Sequence, residues 1–117
     1  MLIVGMTLIK QISEAVEVLR QGSKPVRIIL YGSRARGKAK KDSDIDLLVV
    51  QKKVKDRDAE MVRLQDCLRP LRINADLVVV SEKNFQEWKD TPGNLIYHAA
   101  KEGKVLYEME RTRKKAG

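Results

Sequence analysis

The chain is expected to fold as a small α/β domain (α+β in some schemes), with one β-sheet flanked by helices. Two observations predict this class. Segments whose apolar residues recur at helical spacing alternate with short runs of valine, isoleucine and leucine, and no repeat, low-complexity tract or linker divides them. The length of 117 residues, 43% of them hydrophobic, suits a single domain spanning 1–117. Aliphatic side chains must fill its core, because the aromatics amount to one Phe, one Trp and three Tyr.

From Thr7 the positions Leu8, Ile12, Ala15, Val16 and Leu19 trace one face of a helix, and Gly22 is its stop signal. Val26 to Tyr31 follows Pro25 as a nearly continuous apolar run, the pattern of a strand buried on both faces, and Gly32-Ser33 ends it. A second strand is expected over about Asp44 to Val50. Asp56 and Asp58 suit the positive end of a second helix, carrying Met61, Leu64, Leu68 and Leu71 and interrupted near its end by Pro70. Asn74 to Val80 reads as a third strand, its valines arguing for a central, covered position. Ser81-Glu82 is a cap and acidic first turn for a short helix with Phe85 and Trp88. Thr91-Pro92 predicts the start of a last helix that Gly103 ends, and Lys104 to Tyr107 predicts a short edge strand. The basic stretch 108–117 is expected to be a flexible tail.

Twenty-four Lys and Arg against 16 Asp and Glu give a net charge of +8, which favours polyanionic partners: nucleotide phosphates, nucleic acid or an acidic protein surface. The single cysteine, Cys67, excludes an internal disulfide and a cysteine metal cluster, so a reducing, cytoplasmic setting is expected. The apolar residues 1–6 are too few to span a bilayer and lack the pattern of a signal peptide, so no membrane role is expected.

One stretch concentrates the chemistry. Tyr31-Gly32-Ser33-Arg34-Ala35-Arg36-Gly37 leads, through a basic loop, into Asp44-Ile45-Asp46. Alternation along a strand sends Asp44 and Asp46 to one face while Ile45, Leu47 and Val49 enter a core. Two carboxylates side by side call for a cation between them, and Mg²⁺ takes one or two carboxylates beside water and substrate phosphate. Gly32-Ser33 alone reads as a tight turn; upstream of Asp-x-Asp it fits an anion nest built from backbone amides and a hydroxyl. Asp44 and Asp46 as solvent-facing strand-mouth residues is the competing reading, weakened by the scarcity of aspartate in apolar strands. Asp76 is either a turn residue or a third carboxylate on a neighbouring strand. Arg34, Arg36, Lys38, Lys40 and Lys41 form a solvated basic loop or draw in triphosphate, with Arg34 or Arg36 holding it. His98 reads as a helix-surface histidine, Cys67 as packing, and Phe85 and Trp88 as core or an interface anchor rather than a base-stacking platform.

Gly32-Ser33, ten intervening residues, Asp44-x-Asp46 and a later Asp76 resemble the signature of the polymerase beta-type nucleotidyltransferase superfamily. The string Gly-Ser-Arg-Ala-Arg-Gly resembles its minimal nucleotidyltransferase (MNT) branch. The resemblance implies a mixed sheet flanked by helices, ATP as substrate and two Mg²⁺ ions. It implies that Gly32 and Ser33 hold the β,γ-phosphates, that Asp44 and Asp46 ligate both ions, and that Asp76 completes the ion on the acceptor hydroxyl. Larger relatives carry an added acceptor-binding domain, and most of this chain is consumed by the catalytic core, so the acceptor is expected on a partner. The resemblance further implies such a partner, since many minimal members are encoded beside a HEPN-type RNase toxin, which they neutralise by binding and by transferring AMP to a tyrosine. The expected function is therefore an adenylyltransferase antitoxin. The alternatives are a non-catalytic antitoxin that acts by complex formation, or transfer to a small-molecule acceptor. Nucleic-acid binding is the weaker use of the charge, and homo-oligomers are compatible with the sequence.

Overall fold

Helix α1 runs from Leu2 to Ser23 and strand β1 from Arg27 to Tyr31; β2 covers Ile45–Gln51 and α2 covers Arg57–Leu68. A 3₁₀ turn at Arg69–Leu71 leads to β3, Ala75–Ser81, followed by α3, Glu82–Trp88, α4, Leu95–Glu102, and β4, Lys104–Glu108. The computed structural model describes residues 2–32, 35 and 45–110.

The four strands form one mixed sheet in the order β3-β2-β1-β4. Strand β1 is antiparallel to both neighbours, and β2 and β3 are parallel, joined by the crossover helix α2. Alternation along each strand sends side chains to two separate cores. On one face Leu47, Val49, Ile28, Leu30 and Leu77 pack against Ala15 and Leu19 of α1 and Leu64 and Leu68 of α2. On the other, Ile29, Leu48, Val50 and Val80 pack against Phe85 of α3 and Ala99 of α4. The apolar run of β2 is thus explained by burial on both sides, and Asp46 shares a face with Leu48 and Val50.

Several expectations change. The third strand lies at the sheet's edge rather than its centre, because helices α2 and α3 cover its two faces while only β2 pairs with it; a valine run reports covered faces, not the number of hydrogen-bonded neighbours. Helix α1 begins at Leu2, five residues before Thr7. The last helix begins at Leu95 and not at Pro92: Gly93 takes φ 95°, which breaks any helix opened at Pro92, and Asn94 is the cap, its Oδ1 accepting from the Tyr97 amide at 2.9 Å. At the start of the basic stretch, Glu108 and Met109 are bonded to the sheet. Glu108 closes β4 and accepts from Arg27 Nη2 at 2.5 Å, and the Met109 amide donates to the Val26 carbonyl. The remainder of the basic tail, 111–117, lies outside the described residues, as does the start proposed for the second strand at Asp44.

Other expectations hold. Asp56 and Ser81 cap α2 and α3, accepting from the amides of Ala59 and Asn84. Gly103 ends α4, its amide bonded to the Ala99 carbonyl. A Cβ there would collide with that carbonyl and with Ile29 and Leu30 of β1, so only glycine lets the chain turn this close to the sheet. Among the described residues no helix is long and apolar enough to cross a membrane.

Candidate active site

The end of the sheet where β1 stops and β2 and β3 begin brings three of the predicted site residues together. Tyr31 of β1 stands opposite Asp46 of β2, and Asp46 stands opposite Asp76 of β3. Partners in register point to the same face, so a tyrosine and two carboxylates form one row across three strands. Neighbouring strands are ~4.8 Å apart, which places the two carboxylates within reach of a shared cation. Asp46 is half-buried and Asp76 exposed.

Gly32 closes the row. It adopts φ 78°, in the left-handed region that side chains resist, and a Cβ there would run into the Asp46 carboxylate. The glycine therefore lets the chain leave β1 directly alongside Asp46. Sequence reasoning assigned Gly32 to phosphate; its structural relation to Asp46 comes from the β1–β2 register.

Tyr31 heads the chemistry-bearing stretch of the sequence but carries no role of its own there. Its phenol is pushed up to about 12, first by burial and then by the negative charges of Asp46 and Asp76. The direction agrees with the register, which sets both carboxylates on the tyrosine's face of the sheet. No sequence pattern marked it, because the cross-strand register is not written in local spacing.

Ser33, Arg34, Arg36 and Asp44, the other predicted site residues, lie outside the described residues. Among the described residues no set of three His, Cys, Asp or Glu side chains is arranged to hold a metal ion. The donors that are described are nevertheless of the right kind: two hard carboxylates on adjacent strands, Asp46 and Asp76, match the oxygen ligands that Mg²⁺ takes. The residues read as structural keep that status. His98 is exposed on α4, 3.8 Å from Glu102. Cys67 is half-buried where α2 passes Gly22 of α1. Phe85 is core, while Trp88 is 48% exposed.

The chain belongs to the polymerase beta nucleotidyltransferase family, whose sequence model matches residues 13–112. No curated protein sequence matches it significantly. Among solved structures it is similar to a protein described as a nucleotidyltransferase from Sulfolobus solfataricus, with 23% identity, TM-score 0.66, and coverage of 97% of this chain and 88% of that one. A toxin–antitoxin complex with AMP-PNP aligns at 23% identity and TM-score 0.58, covering 86% of this chain and 73% of the other. A tri-AMPylated HEPN toxin from Shewanella oneidensis in complex with its MNT antitoxin aligns at 20% identity and TM-score 0.55, covering 91% and 74%. At these identities the structural neighbours establish the shared fold.

Proposed function

We propose that this protein is a Mg²⁺-dependent adenylyltransferase that moves AMP from ATP to a tyrosine of a HEPN-type RNase partner in the cytoplasm, and so acts as the antitoxin of the pair. The observation that most supports this reading is the in-register placement of Asp46 and Asp76 beside the left-handed Gly32. Similarity in fold to an MNT antitoxin bound to an AMPylated toxin, and to a complex holding AMP-PNP, supports the choice of nucleotide and partner.

In this reading the Gly32 amide and the Ser33 hydroxyl cradle the β,γ-phosphates, and Arg34 and Arg36 offset their charge. Asp44, Asp46 and Asp76 would hold the magnesium ions, which when bound would neutralise the triphosphate and favour the phenoxide form of the acceptor tyrosine. Asp76, on the exposed edge strand, meets the acceptor. Its carboxylate orients the tyrosine hydroxyl and takes the departing proton toward solvent. The acceptor oxygen bonds to the α-phosphorus as the bond to the bridging oxygen breaks, and pyrophosphate leaves in line.

Incubation with α-labelled ATP, Mg²⁺ and the purified partner is expected to label a partner tyrosine. Asp44→Asn with Asp46→Asn, or removal of Mg²⁺ with EDTA, is expected to lower labelling at least ~100-fold, the scale of losing charge stabilisation in a transition state. Undiminished labelling by the double variant would overturn the proposed site. Full toxin neutralisation by the double variant in cells would instead make complex formation, not transfer, the biological activity.

A further inference from the structure

The row of Tyr31, Asp46 and Asp76 contains one residue to which the nucleotidyltransferase reading gives no task. Tyr31 ends β1 and stands opposite Asp46, which stands opposite Asp76, so its ring rises from the same face of the sheet as both carboxylates. The Asp46 carboxylate occupies the place that a Cβ on Gly32 would take, and Gly32 is the residue after Tyr31. Asp46 therefore leans toward β1, to the side on which the phenol stands.

Packing accounts for the ring and not for the hydroxyl. Two residues earlier on the same face Ile29 is buried, and Tyr31 extends that apolar cluster at its edge, as do Ile96 and Ala100 of α4. The core thus fixes the ring, a task that a phenylalanine or an aliphatic side chain would also fulfil; the inward positions before it on β1 are Ile28, Ile29 and Leu30. A phenol is longer than a carboxylate, so its oxygen can stand above the Asp46 side chain, beside the space that an ion on Asp46 and Asp76 would fill. At neutral pH a phenol is protonated and can donate a hydrogen bond. Acceptors for it are at hand in such a site, because Mg²⁺ bound by one or two carboxylates keeps several waters and takes phosphate oxygens around it.

We infer that Tyr31 is a positioning residue of the metal site, its hydroxyl donating a hydrogen bond to a water or phosphate oxygen around the ion that Asp46 and Asp76 would carry. The inference rests on the proposed metal-dependent chemistry and adds to it a residue outside the Gly-Ser and Asp-x-Asp pattern. Loss of a group that hydrogen-bonds to the ligands of a metal lowers its affinity or the activity by about 10–100-fold.

Tyr31→Phe keeps the ring and removes only the oxygen. With Mn²⁺ as the probe, read by the loss of its free-ion paramagnetic resonance signal on binding, Tyr31→Phe is expected to bind about tenfold more weakly than wild type, while the metal-free proteins unfold at the same temperature. Mg²⁺ is expected to give wild type a tyrosine ultraviolet difference spectrum that Tyr31→Phe lacks, although Tyr97 and Tyr107 remain in both. In the transfer assay the variant should need about tenfold more Mg²⁺ for its half-maximal rate, with KM for the partner as in wild type. Wild-type Mn²⁺ affinity in Tyr31→Phe, or a difference spectrum that survives the substitution, would overturn the inference and leave Tyr31 a packing residue. Weaker Mn²⁺ binding that merely follows a lower unfolding temperature would overturn it as well. A wild-type protein that binds neither Mn²⁺ nor Mg²⁺ would remove the metal-dependent reading itself, and the inference with it.

Discussion

Gly32 shows how much a single position can carry. Its positive φ and its apposition to the Asp46 carboxylate are separate constraints, one on the backbone and one on the neighbouring side chain. Gly32→Ala should therefore do two things: cost about 1–2 kcal/mol of stability through left-handed strain, and displace Asp46 from Asp76. A shift of about 1 Å in a reacting group lowers rate on the order of 100-fold, so label transfer should fall far more than the melting temperature implies. Parallel assays of transfer and thermal unfolding check this, and equal, modest losses in both would contradict it. The glycine was conspicuous in the sequence because it ends an apolar strand. Its effect on Asp46 was not legible, since that depends on residues fourteen positions apart meeting across β1 and β2.

At the scale of elements, helix α2 is tied to the sheet by a small polar network. Gln51, buried at the end of β2, donates to Glu60, which accepts from Arg63, and Arg63 reaches the Gly22 carbonyl at the end of α1. The hydrogen bond from Arg63 holds the Glu60 carboxyl below its ordinary value of 4.5, against an opposing contribution from burial and with a smaller further lowering from Gln51. A carboxyl that is more acidic when folded stabilises the fold above its unfolded pKa, and that contribution is lost as pH falls through the folded value. Resistance to denaturant should accordingly fall below about pH 4.5, and Glu60→Gln should flatten that part of the acid limb. An unchanged acid limb would show the network to be decorative. The caps at Asp56 and Ser81 are legible in the sequence because a cap is a local event, whereas Thr91-Pro92 is a more conspicuous start signal than Asn94 and only the left-handed backbone of Gly93 moves the cap to Asn94.

For the molecule as a whole, the sheet separates two cores that differ in what they support. Leu47 and Leu48 are adjacent and both fully buried, yet the first faces α1 and α2 while the second faces α3 and α4. Each truncation to alanine should cost about 3 kcal/mol. Their local effects should separate: hydrogen exchange in Leu48→Ala should rise most in α3, α4 and the Trp88 loop, and in Leu47→Ala in α1 and α2. Identical exchange patterns would mean that the two layers unfold as one unit. Trp88 ends α3 on the face that Leu48 supports, so Leu48→Ala should also perturb Trp88 fluorescence.

The sequence by itself determined the family, the alternation of strands and helices, and the residue types of the site, because spacing such as Gly-Ser followed by Asp-x-Asp, caps, and apolar periodicity are short-range properties of a chain. Only the tertiary structure decided that β3 is an edge strand, that Tyr31 joins Asp46 and Asp76 in one row, and that Phe85 is core while Trp88 of the same helix is exposed. Each of these follows from which strand pairs with which and which helix covers which face, and that choice is made by the burial of two whole cores rather than by any local run of residues.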